Sequence, residues 1–477
     1  MSSKLLVITA FIGAISGCAR APKQMAAEPL PFELPPEWAV ASSSLTRVQS
    51  GWASQLADSQ LEQYIRSVLA GNANYQALQA KAELFLLQYK GAQKDIYPSV
   101  ELELAGNRQQ VMRGALPGLE ASKNAQLSLT VDWEFDLWGR LRASKRAALL
   151  QYQSEKEALH YAQLSLAAQG AKVWFERAEA LQLLALGEQE LKSWQLSKDV
   201  LQRRYRGGES SATALHQVDA QLALADAQVK QMRLQSANVE RKLSVLAGEL
   251  PVREATPSQV VLPSIPDFDV QQVPLASIEQ RPDVKAAMAA LKASDARASA
   301  AYYALYPQFR LSLVPALVSG QLTSADSTAN TFNSSLAVLQ PIFSRGNLKL
   351  ESKKAQLAAQ QEYWRYVQTL LDASESILAK VDGQQSLVGQ LVAQENALQA
   401  ALLAQESAQQ DYYSGVADVQ AWLQLQREYL ALKKSIVKAR TAALNNWVDI
   451  QLDMANPVFY EDVKNIAASS SAVTPKG

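Results

Sequence analysis

Reactive side chains are few in these 477 residues. The two histidines, His160 and His216, stand alone in helical stretches, without a second ligand at the spacing a metal site needs. The internal methionines Met25, Met112, Met232, Met288 and Met454 form no stripe, so a soft-metal duct has no support. No phosphate loop, nucleophile elbow or constellation of paired carboxylates occurs, and no enzyme is expected. One thiol is left, Cys18. It follows Lys4, an apolar run over residues 5–15 and the small pair Ser16-Gly17, the order of an export signal. A lone thiol directly after such a signal is a place for covalent lipid attachment. More than one acyl chain matters, because a single chain holds a bilayer only marginally. With Cys18 so used, no thiol remains for disulfides, metal or catalysis.

The pattern ending at Cys18 resembles a bacterial lipobox, with an ordinary secretory signal as the other reading. Ala19 after the cysteine, rather than Asp, resembles lipoproteins delivered to the outer membrane. Cofactors other than that lipid are not expected. Lys+Arg and Asp+Glu balance at 46 each, so nothing points to nucleic acid. No apolar run reaches eighteen residues, which excludes a membrane-spanning helix and leaves a barrel open, whose signal is alternation.

That alternation is plain between Ala125 and Asp136. Leu127, Leu129, Val131, Trp133 and Phe135 face one way; Ser128, Thr130, Asp132, Glu134 and Asp136 face the other. The pivot Trp138-Gly139-Arg140 follows, and the next proline is Pro251. The chain reads as a signal over 1–17, a tether over 18–54, a first repeat over 55–250, a connector over 251–274, a second repeat over 275–453 and a disordered tail over 454–477. The first repeat has strands near 99–112 and 126–136 and helices near 139–206 and 211–247. The second has strands near 308–319 and 332–343, around a polar loop over 319–330, and helices near 346–412 and 417–453. Its landmarks recur at a nearly constant offset. Tyr97-Pro98 returns 209 positions later as Tyr306-Pro307, and Gly139 and Gly208 return 207 positions later as Gly346 and Gly415. This is an internal duplication. The long helices carry apolar seams at spacings of three and four, such as Tyr363, Val367, Leu370, Ile377 and Val381, which suit helices lying side by side.

Four strands of bilayer-crossing length cannot close a barrel, and lipid tolerates no open edge. The expected fold is therefore mostly α with a shared β-barrel part. Two copies would give eight strands; three would give twelve and room for water. Glu101, Glu103, Asp132 and Glu134 would then line the lumen. A soluble four-stranded sheet capping a helical domain is the competing reading.

On the lipobox at Cys18, the run Asp132-Trp133-Glu134-Phe135-Asp136-Leu137-Trp138-Gly139-Arg140-Leu141-Arg142, Arg281-Pro282-Asp283-Val284, Tyr306-Pro307 and Gln340-Pro341-Ile342-Phe343 before Gly346, the chain resembles TolC-type outer-membrane efflux factors of the lipoprotein (NodT/OprM-like) branch. The resemblance implies a homotrimer with a twelve-stranded barrel in outer-membrane lipid and a helical tunnel across the periplasm. It further implies a periplasmic membrane-fusion adaptor and an inner-membrane resistance-nodulation-division pump as partners, with small molecules passing through passively. A type I secretion duct and an adaptor lipoprotein are the alternatives. By the same resemblance Gly207, Gly208, Gly415 and Val416 mark the adaptor-facing tips, and Asp418, Trp422, Gln424 and Arg427 are aperture candidates. Gln424 stands where relatives of this branch often carry a constricting Asp, so a looser closure is expected.

Overall fold

The computed structural model describes residues 22–32, 51–109, 122–251, 261–266, 275–322, 325–343 and 346–459. The export signal, Cys18, most of the connector and residues 460–477 lie outside them. In chain order the elements are α1 (Ser59–Gly71), α2 (Ala73–Lys94), β1 (Ser99–Gln109), β2 (Ser122–Phe135), α3 (Arg140–Arg206), α4 (Ala212–Leu246), α5 (Pro282–Tyr303), β3 (Gln308–Leu322), β4 (Ala325–Leu339), α6 (Asn347–Tyr413) and α7 (Val419–Asp453). Corresponding helices match in length: 22 residues in α2 and α5, 67 in α3 and α6, 35 in α4 and α7. Equal helices between equal landmarks are what a duplicated sequence folds into. None of the described helices is long and apolar enough to cross a membrane.

Two compact units divide the chain, each drawing on both halves. The first contains the four-stranded sheet, all antiparallel, in the order β1-β2-β3-β4. Its register gathers most of the large apolar side chains of β1, β2 and β3 on one face, because the strand period is two. Leu102 pairs with Leu129, Leu127 with Leu317, and Leu311 with both Trp133 and Leu336. On the opposite face Glu101 pairs with Thr130, Glu103 with Ser128, Glu134 with Arg310, and Ser312 with Ser335. The apolar residues of the outer strands have nothing over them; Leu102 is 71% exposed and Leu336 67%. Among the described residues the outer edges of β1 and β4 carry no strand partner. The β2–β3 ladder lapses between Ser128↔Ala316 and Val131↔Leu313, beside Pro315, which has no N–H to donate.

The hairpin of β3 and β4 corrects the sequence reading. Pairing continues to Leu322↔Ala325, so the polar loop expected over 319–330 is mostly strand, and the fourth strand spans Ala325–Leu339 rather than 332–343. It stops before Pro341, which cannot continue a ladder. The segment 22–32 is likewise more than an extended tether. Met25–Ala27 forms a 3₁₀ turn whose Met25 and Ala26 amides donate to the two Asp295 oxygens at 2.9 and 2.8 Å. Further on, Tyr363 donates to the Pro29 carbonyl.

The second unit has the large apolar core, where Trp52, Leu61, Ile65, Phe175, Leu444 and Trp447 pack together. Trp52 and Trp447 meet edge to face at 6.3 Å. The start of the expected disordered tail belongs to this core: Val458 and Phe459 are buried, and the Trp52 and Ala53 amides donate to the Pro457 and Val458 carbonyls. Two buried apolar side chains contribute about 1.5–3 kcal/mol each, enough to order a short segment. A buried ionic cluster lies at the end of α7. Asp453 accepts from Arg281 at 3.0 Å, Lys380 at 2.7 Å and Ser376 at 2.8 Å, while Arg281 also pairs with Asp283 at 2.8 Å. Burial alone would lower the Arg281 pKa; the bonds and charges of Asp283 and Asp453 reverse that and raise it.

α6 presents two apolar seams. The one read from the sequence is buried at Tyr363, Val367, Leu370, Ile377 and Val381. The other, Leu350, Leu357, Trp364, Leu371 and Leu378, repeats every seven residues and is exposed throughout.

Candidate functional site

The two helix reversals are built alike. α3 ends in basic residues, and the Glu209 amide returns to the Arg204 carbonyl at 2.8 Å; α6 ends with the Val416 amide on the Asp411 carbonyl at 2.9 Å. Each closure needs a left-handed residue just past the helix, supplied by Gly208 at φ +75° and Gly415 at φ +76°. Gly207 precedes the first of these. Ser211 then caps α4 through the Ala214 amide, and Asp418, 207 positions later, caps α7 through the Gln420 amide.

Beyond this shared frame the reversals differ. The second carries Tyr412, Tyr413 and Trp422, with Tyr412 and Trp422 stacked at 5.6 Å. Val416 projects there, 79% exposed. The Trp422 Nε1 is buried and unpaired among the described residues. Asp418 also reaches Arg204 of α3 at 2.6 Å, which raises the Arg204 pKa by hydrogen bond and charge. One carboxylate thus caps one helix and ties it to the end of another.

Nine residues past Asp418, on α7, the Arg427 guanidinium lies over the Trp194 ring, 3.8 Å from its centre. It donates to the Ser197 hydroxyl at 3.3 Å and to Gln424 at 3.1 Å, and Gln424 donates to Glu428 at 2.9 Å. Burial pulls the Arg427 pKa down, against the charges of Glu190 and Glu428. The four aperture candidates therefore fall into three groups: Asp418 with Arg204, Arg427 with Gln424, and Trp422 in the aromatic cluster. Arg204, Trp194 and Ser197, all on α3, were absent from the sequence reading. The basic end of α3 was the signal for Arg204; the other two had none.

The strand-to-helix pivot, in the first unit, is held by polar bonds. Trp138 donates from Nε1 to the Pro307 carbonyl at 2.8 Å and its ring lies 5.1 Å from Tyr306. Arg140 grips Glu134 at 2.7 and 2.8 Å through one nitrogen, and Asp136 caps α3 by accepting from the Leu141 and Arg142 amides. Gly139 and Gly346 take positive φ at corresponding places. Among the described residues no group of His, Cys, Asp and Glu could hold a metal ion. Among the described residues the arrangement brings no reacting centre together; it offers a hydrogen-bonded turn from sheet to helix and two reversals joined by Asp418 and Arg204.

Comparison with known proteins gives one consistent likeness. The family model described as "Outer membrane efflux protein" matches residues 64–249 and 273–454. The antibiotic efflux pump outer membrane protein ArpC of Pseudomonas putida is 26% identical over 99% of each chain. The cation efflux system protein CusC of Escherichia coli K12 is 24% identical over 92% of this chain and 96% of its own. Among solved structures, the outer-membrane channel OprN superposes with a TM-score of 0.79 at 21% identity, covering 92% of this chain and all of the other.

Proposed function

The chain belongs to the outer membrane efflux protein family and is an outer-membrane efflux channel, and from that premise we propose that three copies share one barrel and conduct small molecules passively from a periplasmic adaptor and pump to the exterior. What supports a shared barrel is the sheet: among the described residues it has one largely apolar face and two unpaired edges, which cannot stand in lipid until closed. Four strands from each of three copies make twelve, wide enough for water. The exposed seven-residue seam on α6 supports the same assembly, since such a stripe is satisfied by a neighbouring helix.

Cys18 is acylated with diacylglycerol and an N-acyl chain in this reading, and the reversals at Gly207-Gly208 and Gly415-Val416 meet the membrane-fusion adaptor of a resistance-nodulation-division system. Energy comes from the pump, because the chain has no reactive constellation of its own to spend it. Relatives named for antibiotics and for cations share this frame, which fits a wide polar duct that leaves selection to its pump. Reconstitution of the full, acylated protein in planar bilayers tests the reading. Discrete conductance steps are expected, and a protein that inserts without conducting would end it. Susceptibility profiling of a deletion strain then identifies the class of cargo.

A further inference from the structure

The pivot of the first unit opens onto a cavity of about 510 Å³ whose charge is unbalanced. Arg142 and Arg146 enter it from the first turns of α3, four residues apart and so on one helix face, and Lys292 enters from α5. Trp138 and Tyr303 supply aromatic wall. The carboxylate in the lining is Asp295, and both its oxygens are already held by the Met25 and Ala26 amides. Arg142 shares its charge with Asp136 at 3.2 Å. Arg146 and Lys292 are exposed and have no acidic partner among the described residues. The chain just upstream cannot supply one: residues 18–21 are Cys-Ala-Arg-Ala.

The surroundings indicate what does. The first wall residue, Gln24, is six positions after Cys18, so at about 3.5 Å per residue the chain lets acyl groups on Cys18 anchor no farther than about 21 Å from it. The same cavity sits where the apolar-faced strands turn into helix, the height at which tryptophan and tyrosine mark the boundary of a bilayer. Cations gathered beside aromatic groups at that height match a phosphodiester with a short apolar stem.

We propose that this cavity binds the phosphate of an anionic phospholipid headgroup in the inner leaflet of the outer membrane, with Arg146 and Lys292 as its principal ligands and Arg142 in support. The proposal rests on the outer-membrane placement and on the acylation of Cys18. Headgroup binding there fixes the height of the barrel foot independently of the acyl chains.

Native mass spectrometry of the full acylated protein, released from bilayers containing phosphatidylglycerol or only phosphatidylethanolamine, reads the site directly. The parent is expected to retain phosphatidylglycerol preferentially, up to three per trimer. The double variant Arg146→Gln, Lys292→Gln should bind it about thirtyfold more weakly, the equivalent of about 2 kcal/mol for two cations at an anionic surface. Equal retention by parent and double variant would overturn the proposal. So would displacement by millimolar inorganic phosphate that itself stays bound without lipid, which assigns the cavity to a free anion. Conductance is measured on the same samples. The double variant should conduct as the parent does, whereas a silent parent that still binds lipid would strike the channel reading and leave this one standing.

Discussion

Replacing Leu371 and Leu378 of α6 by glutamine should loosen the trimer without unfolding the chain. In the single chain these residues are 45% and 47% exposed, so roughly half of each side chain remains to be covered by a neighbour. Full burial of a leucine stabilises by about 1.5–3 kcal/mol, and half of that is about 1 kcal/mol per side chain. Two substitutions at each of three interfaces then cost about 6 kcal/mol per trimer, a factor of about 10⁴ in the dissociation constant. Because that constant scales with the square of protomer concentration, the midpoint of dissociation shifts about a hundredfold. Sedimentation velocity in detergent over a dilution series measures the shift, and far-ultraviolet circular dichroism checks that helix content is kept. Leu234, as exposed as the stripe but on α4, serves as control in Leu234→Gln. An unchanged midpoint, or a midpoint that moves as far in the control, would refute the assignment of the stripe to an interface.

Other substitutions separate the roles at the reversals and in the core. Asp418→Asn and Arg204→Ala should each cost under about 1 kcal/mol in stability, because the pair is more than a third exposed; Asp418→Ala also loses the α7 cap and should cost about 1 kcal/mol more in thermal or denaturant unfolding. If all three single variants melt alike, the division between brace and cap is wrong. Arg427→Ala should change single-channel current in planar bilayers, and Arg427→Lys should not restore the parent value, since an ammonium cannot stack flat over Trp194 and reach Ser197 and Gln424 together. Unchanged current in Arg427→Ala would remove this residue from the closure. Asp453→Ala leaves Arg281 and Lys380 without their shared carboxylate and should destabilise the chain by about 3–5 kcal/mol; a loss below 1 kcal/mol, by chemical denaturation, would show the cluster to be solvated.

How far the sequence disclosed this fold depends on what each element is made of. The duplication was open to reading because glycine and proline punctuate the chain at fixed offsets, and a left-handed glycine such as Gly208 or Gly415 has few substitutes. β2 was clear because large apolar and charged residues alternate along it. β4 was not: its first half, Ala325 to Thr331, is small and polar on both faces, and only pairing with β3 makes it a strand. The buried seam of α6 could be read from its spacing, but the exposed seven-residue stripe beside it has the same period, and burial alone tells the two apart. Arg204 and Asp418 are 214 positions apart, and Trp194 and Arg427 farther still. No local pattern links such residues, so the braces of the reversals emerged only with the fold.

The decisive measurement is the mass of the conducting species. Full acylated protein is taken from bilayers that show discrete conductance steps and weighed intact. The account predicts three chains, each carrying lipid on Cys18; a monomer or dimer in conducting samples would contradict it.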